Sequence, residues 1–155
     1  MSYSPLSDYS AIGNGYTLAL VGRTGSVDWL CLPHLDSPAV FAAILDDRSG
    51  GRFAVAPDRD FDADAVYRAE TNLLDTRFRT RTGEALLTDF FPAGPAAREN
   101  PENNGRLIRR IQGLSGRLSL RIDCDVRFNY GRRPPRWERL DNHRWRLISR
   151  DRHLL

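Results

Sequence analysis

The chain has 155 residues, of which 41% are hydrophobic and 28% charged, and this composition suits one globular domain with a core of its own. The formal net charge is +3, and all 23 basic residues are arginine. They are spread along the chain among 20 acidic residues and form no basic stripe, so we expect no nucleic-acid partner. No apolar run is long enough to span a membrane, and the first residues lack a secretory signal, so we expect a cytoplasmic location and no membrane partner.

Alternation of apolar and polar residues predicts β-strands along most of the chain. In chain order we expect strands at residues 17–21, 27–32, 53–55, 66–67, 73–80, 84–90, 106–112 and 117–130, and a final hairpin formed by 136–140 and 144–149. Two turns share the sequence Arg-Thr-Gly, and we expect Gly25 and Gly83 to supply the positive φ that hairpin turns need.

The clearest strand is the run RLSLRIDCDVRFNY at residues 117–130, which follows a turn predicted at 113–116. One predicted face carries Leu118, Leu120, Ile122, Cys124, Val126, Phe128 and Tyr130, and the opposite face is polar. Residues 144–155 also read as strand up to the end of the chain, which predicts an unpaired sheet edge. We therefore expect an all-β antiparallel sandwich that is incomplete, either because a longer parent is truncated or because a partner covers the edge.

Two segments depart from the strand pattern. Asp36-Ser37-Pro38 offers a helix N-cap followed by proline in the first turn, so we expect one short helix near residues 38–45. Residues 92–105 are rich in proline, glycine and polar residues, and they predict a long exposed loop.

The cysteines and histidines form no pattern typical of a metal or redox site. Cys31 and Cys124 are not in a CxxC spacing, which favours two buried thiols over a disulfide. The three histidines, His34, His143 and His153, have no ligand spacing. We expect no metal site and no cofactor.

The N-terminal run YSPLSDYSAIGNGYTLALVGRTGSVDWLCLPHLDSPAVFAAILD resembles the opening of bacterial family 15 glycoside hydrolases, the trehalase-like and glucoamylase-like proteins. Its GSVDWLCLP and DSPAVF pieces are similar to the family's G-S-I-D-W-L-C-x-P and F-D-S-P-x-x-F. Later pieces also fit in order: residues 67–76, Thr88-Asp89-Phe90, and residues 127–131 followed by Trp137. Asn14, His34, Leu35 and Asn129 stand where the family usually has Asp, Arg, Phe and Asp.

The resemblance implies a non-catalytic role for this chain. Family members have an N-terminal β-sandwich of the super-β-sandwich type and an (α/α)6 barrel in which two glutamates act as general acid and general base. Residues 1–155 are similar to the sandwich alone, and no helical repeat is present to form a barrel. The implied partners are the catalytic barrel, in the same or a neighbouring chain, and α-glucoside sugars. The parent would hydrolyse α-glucosidic bonds, and we expect no activity from this chain alone.

Asp28 and Asp36 are the carboxylates in the signature that could serve glycoside chemistry, which needs two carboxyl groups across one sugar. Asp28 and Trp29 alternate on a predicted strand, so if one faces solvent the other faces the core. We assign no catalytic residue. The candidates for the rim of the barrel's active site or for the domain interface are Asp28, Trp29, His34, Asp36, Ser37 and Phe41.

Two interpretations of the function remain. In the first, the chain supports the barrel of a family 15 glycoside hydrolase and lends a loop to its active site. In the second, it is a free-standing sandwich that binds carbohydrate or protein. Trp137 and Trp145 could stack on sugar rings, or they could belong to the core or to a covered surface.

Overall fold

The computed structural model describes residues 4–93, 105–132, 135–149 and 152–154, and they form thirteen β-strands and one short 3-10 helix. The helix is Leu6–Asp8, and the strands are β1 (Tyr9–Gly13), β2 (Leu18–Gly22), β3 (Ser26–Cys31), β4 (Ala39–Phe41), β5 (Arg52–Pro57), β6 (Asp62–Tyr67), β7 (Leu74–Arg79), β8 (Gly83–Phe90), β9 (Ile108–Gly116), β10 (Leu120–Asp125), β11 (Arg136–Arg139), β12 (Trp145–Ser149) and β13 (Arg152–Leu154). In this part of the chain no helix is long and apolar enough to cross a membrane.

The strands form three antiparallel sheets. The first has the order β1-β2-β3-β5-β10, with β4 paired to β3; the second has the order β6-β7-β8-β9; the third has the order β11-β12-β13. Buried residues of the first and second sheets pack together, as Val55 does with Phe78 and Leu87. Leu147 of the third sheet joins the main core. The prediction of an all-β antiparallel sandwich is confirmed.

A β-bulge interrupts the alternation in β3. Leu20 of β2 pairs with Trp29, but the next residue, Val21, pairs with Val27, so Asp28 is an extra residue between the two pairs. Asp28 is only 8% exposed, whereas Trp29 is half-buried. The expectation that one of the two faces solvent and the other the core is therefore wrong, because it assumed an unbroken alternation.

The prediction of a short helix near residues 38–45 is wrong. Ala39–Phe41 is a strand, β4, and only a turn follows it. The edge of β3 explains this outcome: β5 pairs with β3 only at Ser26 and Val27, and β4 fills the remaining edge at Leu30 and Cys31. Val40 and Phe41 are buried there, and this burial outweighs the local helix signal.

The long strand expected at 117–130 is shorter than predicted. β9 continues to Gly116, so the turn expected at 113–116 lies within a strand, and β10 spans only Leu120–Asp125. Asn129 and Tyr130 have φ of 54° and 59°, which ends the extended backbone. Ile122 is 62% exposed although its strand neighbours pack against the cores. β1 and the 3-10 helix were not predicted.

The two Arg-Thr-Gly turns use glycine for different reasons. Gly25 has φ of +84°, as expected. Gly83 lacks a positive φ; it is needed for space, because a Cβ there would lie 2.6 Å from the carbonyl oxygen of Ser115. Cys31 and Cys124 form no disulfide bond with each other; Cys31 is buried and Cys124 is half-buried. Most of the loop expected at 92–105 lies outside the described residues.

Candidate functional site

Asp28 lies at the centre of a buried hydrogen-bond cluster on β3. The Tyr9 hydroxyl donates to its Oδ2 at 2.8 Å, and the Ser26 hydroxyl donates to its Oδ1 at 2.5 Å. The backbone carbonyl of Asp28 also accepts from the N–H of Ile44 at 3.1 Å. Both carboxylate oxygens are thus occupied, and the cluster ties the start of β1 and the segment after β4 to the bulge in β3.

The cluster also changes the acidity of Tyr9. Burial, and then the hydrogen bond to Asp28, raise the pKa of Tyr9 from 10.0 to about 12. The phenol therefore stays protonated at neutral pH and donates to the carboxylate. This arrangement fixes strands, and it offers no free proton acceptor for catalysis.

Trp29 packs outside the main core. It lies against a small cluster formed by Cys31, Ala39 and Ala42, and its ring is 6.1 Å from that of Tyr130. Tyr130 is itself 48% exposed. The Asp-Trp pair of the signature therefore serves two separate contacts, one with hydroxyl groups and one with apolar and aromatic side chains.

The loop between β3 and β4 is closed by His34 and Ser37. The N–H of His34 donates to Oγ of Ser37 at 3.2 Å, and the N–H of Ser37 donates to the carbonyl of His34 at 3.0 Å. Ser37 therefore caps a turn instead of a helix. His34 and Asp36 are exposed in this loop. Phe41, the last of the six candidates, is a core residue whose ring is 6.4 Å from that of Phe53.

The same loop packs on the turn between β1 and β2. The N–H of Leu35 donates to the carbonyl of Tyr16 at 2.9 Å, and the Tyr16 and His34 rings are 6.4 Å apart. Leu35 is 53% exposed and, with Tyr16, lines a groove of about 350 Å³. We name Tyr16, His34, Leu35 and Asp36 the loop surface. It contains two of the candidate residues, His34 and Asp36, whereas Asp28 and Phe41 are buried.

A second buried carboxylate, Asp89 on β8, forms an ion pair with Arg109 on β9. Arg109 donates Nε to Oδ1 at 2.9 Å and Nη2 to Oδ2 at 3.0 Å, and both side chains are almost fully buried. The same guanidinium donates to the carbonyls of Phe53 and Gly25 in the first sheet, and it stacks 4.6 Å from the Phe53 ring. Burial raises the pKa of Asp89, and the hydrogen bonds from Arg109 act in the opposite direction.

Sequence reasoning did not identify this cross-sheet ion pair. The signal was present, since Asp89 follows Ala85 and Leu87 on the inward face of a predicted strand. A carboxylate in that series requires a buried partner. Arg109 was not recognisable as that partner, because its strand shows weak alternation and every basic residue of the chain is arginine.

The two buried carboxylates, Asp28 and Asp89, form hydrogen bonds that connect strands of the sandwich. Asp28 accepts from two hydroxyl groups and Asp89 from one guanidinium, while Asp36 is exposed in a loop. Inversion at a glycosidic carbon needs two carboxyl groups about 6.5–9.5 Å apart around a sugar, and Asp28, Asp36 and Asp89 occupy environments unsuited to such a pair. Within the described ranges, no cluster of three His, Cys, Asp or Glu residues could hold a metal ion.

These features define a class of protein: an antiparallel β-sandwich whose polar clusters fix strands and loops and present an exposed loop surface. Residues 2–146 match the family model described as "Trehalase-like, N-terminal". The chain belongs to this trehalase-like N-terminal domain family, and the resemblance noted in the sequence is confirmed.

Curated relatives support the same assignment. The chain is 36% identical to a trehalase of Thermoplasma volcanium over 156 residues, which cover 97% of this chain and 22% of that protein. It is 32% identical to a trehalase of Mycolicibacterium smegmatis over 149 residues, which cover 88% of this chain and 22% of that protein. The chain thus spans about a fifth of the length of these relatives. No solved structure matches it significantly.

Proposed function

We propose that this chain acts as the non-catalytic N-terminal domain of a larger trehalase-like enzyme, in which an (α/α)6 barrel hydrolyses an α-glucosidic bond. The observation that carries the proposal is the family match over residues 2–146, together with relatives named trehalase of which the chain covers only 22%. The occupied carboxylates of Asp28 and Asp89 agree with a scaffolding role.

The loop surface is the region that we propose to face the barrel. Leu35 and Tyr16 are exposed apolar and aromatic residues, and the exposed His34 and Asp36 add polar groups in the same loop as Leu35. An apolar centre with a polar rim is typical of a protein interface. Asp28, Trp29, Ser37 and Phe41 would act indirectly, by holding the loop in shape.

The first test concerns catalysis. The purified chain should release no glucose from trehalose or maltooligosaccharides, because the buried carboxylates of the described residues are occupied by hydrogen bonds within the sandwich. Glucose release by the pure protein, at a rate that scales with its concentration, would contradict the non-catalytic assignment.

The second test concerns the barrel contact. Residues 1–155 would replace the matching segment of the Thermoplasma volcanium trehalase, and the chimera should hydrolyse trehalose and unfold with the barrel as one unit. Leu35→Asp should lower the midpoint of that transition, and Leu6→Asp is the matched control because Leu6 is 77% exposed and lies outside the loop surface. Equal effects of the two variants would contradict the proposed contact, provided that Leu35→Asp leaves the isolated chain folded.

A specific observation favours a second candidate function, carbohydrate binding. Trp137 and Trp145 of the third sheet expose 46% and 47% of their surfaces and form an edge-to-face pair 6.3 Å apart. The Arg139 guanidinium lies 5.9 Å from the Trp145 ring and donates to Asn142 Oδ1 at 2.8 Å, so polar groups border the indoles. Indole faces next to polar side chains are suited to stacking on sugar rings.

The carbohydrate candidate is tested by titrating the chain with trehalose and maltooligosaccharides while following tryptophan fluorescence and melting temperature. Binding should shift both signals, and Trp137→Ala with Trp145→Ala should abolish the shifts while the remaining Trp29 still reports folding. The candidate fails if neither sugar changes either signal in the unmodified chain.

A further inference from the structure

Strand β10 forms one edge of the first sheet. It pairs with β5 through six residues and has no second partner strand among the described residues. Ile122 is 62% exposed, and the side chains of Arg121 and Asp123 are 76% and 52% exposed. An edge strand of this kind is a template for pairing with another strand.

The backbone of β10 shows which residues are available for such pairing. The N–H of Asp58 donates to the carbonyl of Ser119, so Ser119 directs its backbone groups toward β5. The N–H of Val55, which lies opposite Ile122, donates instead to Gly25. Because backbone groups alternate in direction along an antiparallel strand, Leu120, Ile122 and Cys124 direct their N–H and C=O groups outward.

The apolar layer of the core continues to this edge. Ile122 pairs with Val55, which is 1% exposed, and Ile111 on β9 pairs with Leu87, which is fully buried. Val55 and Leu87 belong to one core cluster, so Ile122 and Ile111 extend that layer by one strand in each sheet. Both isoleucines are exposed, and a strand added beside β10 would cover Ile122.

We propose that the occupant of this edge is the β10 strand of a second copy of the chain, paired antiparallel about a two-fold axis at Ile122. In this register Ile122 lies opposite its counterpart, and both residues have outward backbone groups, so they form a hydrogen-bonded pair. Leu120 then lies opposite Cys124 of the second copy in the same way.

The charged side chains of β10 favour this register over others. Arg121 falls opposite Asp123 of the second copy, and the two-fold axis generates the same pair again. These are the non-hydrogen-bonded positions, where side chains of facing strands are closest. In the single chain, Arg121 Nη2 lies 3.6 Å from Asp123 Oδ2, and both side chains are highly exposed. Each side chain can therefore also reach a charge on a neighbouring strand. The contact is short, and we expect affinity in the range of about 1–100 µM that weakens with salt.

The test is sedimentation equilibrium of the whole chain over a concentration series. The unmodified chain should form dimers, and added salt should shift the equilibrium toward monomer. Arg121→Asp alone places aspartates opposite each other, and Asp123→Arg alone places arginines opposite each other. Each single variant should weaken dimerisation about tenfold or more, since two like-charge pairs replace two opposite-charge pairs.

Mixing the two single variants distinguishes strand pairing from a general effect of charge. A chain with Arg121→Asp and a chain with Asp123→Arg are complementary at both cross-strand pairs, so the mixture should form a heterodimer more tightly than either variant dimerises alone. The double variant Arg121→Asp/Asp123→Arg should dimerise like the unmodified chain. Arg77→Asp is the control, because Arg77 is an exposed arginine on the interior strand β7 and should leave dimerisation unchanged.

The outcomes that overturn the proposal are equally definite. A monomer at every concentration means that the edge is left for another segment or protein. Dimers that ignore both single variants, or single variants that fail to associate on mixing, mean that the contact lies elsewhere. Melting temperatures of the variants separate these outcomes from loss of folding, because an exposed ion pair contributes little to monomer stability.

Discussion

The two long sides of the sandwich differ in whether side chains satisfy the backbone groups of the edge strand. Where β1 and β6 meet, the Tyr67 hydroxyl donates to the carbonyl of Ala11 and accepts from the N–H of Ala11, both at 2.8 Å. The Asn72 side chain also donates to the carbonyl of Gly13 at 2.5 Å. On this closed side, polar side chains take the place of a neighbouring strand and satisfy the edge of β1.

On the open side, where β9 and β10 are the outer strands, the described residues provide no such cover. The link between the sheets is the buried Arg109 on β9, which reaches the carbonyls of Phe53 and Gly25. On the closed side, polar side chains therefore satisfy the backbone groups of the β1 edge. On the open side, Arg109 joins the two sheets, and the β10 edge has no partner strand among the described residues. In this sandwich, the residues that join the two sheets are therefore different from the residues that satisfy an edge strand.

The largest expected effect comes from breaking the link on the open side. Arg109→Met leaves the Asp89 carboxylate buried without its partner and removes the donor from two carbonyls, so it should lower the free energy of unfolding by about 3–5 kcal/mol. Urea unfolding measures this loss. Arg68→Met is the matched control, because Arg68 pairs with Asp75 at the surface and its loss should cost about 1 kcal/mol or less.

The pH dependence of the Arg109→Met variant sharpens this prediction. Without Arg109, burial raises the pKa of Asp89 unopposed, so the folded state holds the Asp89 proton at higher pH than the unfolded state does. Stability lost at neutral pH should return as pH falls through the raised pKa. An Asp89→Leu/Arg109→Met double variant should lack this dependence. A loss that is the same at all pH values would contradict the role assigned to the buried charge.

The next effect concerns Tyr9, which lies on β1 on the closed side. Tyr9→Phe removes one of the two hydroxyl groups that satisfy the buried Asp28, and it should cost about 1–2 kcal/mol. The folded-state pKa of Tyr9 is raised to about 12, so its contribution is fully present below pH 10 and is lost as pH rises toward 12.

Unfolding measured between neutral pH and pH 12 should therefore show a smaller alkaline loss of stability in Tyr9→Phe than in the unmodified chain. Ser26→Ala is the comparison, because it removes the other donor to Asp28 but carries no group that titrates in this range. An identical alkaline loss in Tyr9→Phe and the unmodified chain would contradict the assignment.

Local patterns in the sequence predicted much of the sandwich, since alternation and turn residues identified most strands. They failed where tertiary pairing decides the structure. Residues 39–41 became a strand because β5 leaves part of the β3 edge free, and a bulge at Asp28 cancelled the strict alternation. For the candidate site, the signature identified residues of β3 and of the loop that follows it, but the partners Tyr9 and Arg109 lie 19 and 20 residues from Asp28 and Asp89 and follow from no local rule.

The smallest expected effect tests the closed side itself. Tyr67→Phe removes the hydroxyl that both donates to and accepts from Ala11, and because the site is exposed and water can replace it, the cost should be about 0.5–1 kcal/mol. The informative result is association: the variant uncovers the edge of β1, so sedimentation should show a second mode of self-association that survives Arg121→Asp. Tyr130→Phe is the control, because Tyr130 is similarly exposed but contributes no described hydrogen bond to an edge strand. If Tyr67→Phe carrying Arg121→Asp stays monomeric, an uncovered edge is insufficient for pairing, and the complementary charges of β10 are the deciding feature of the open side.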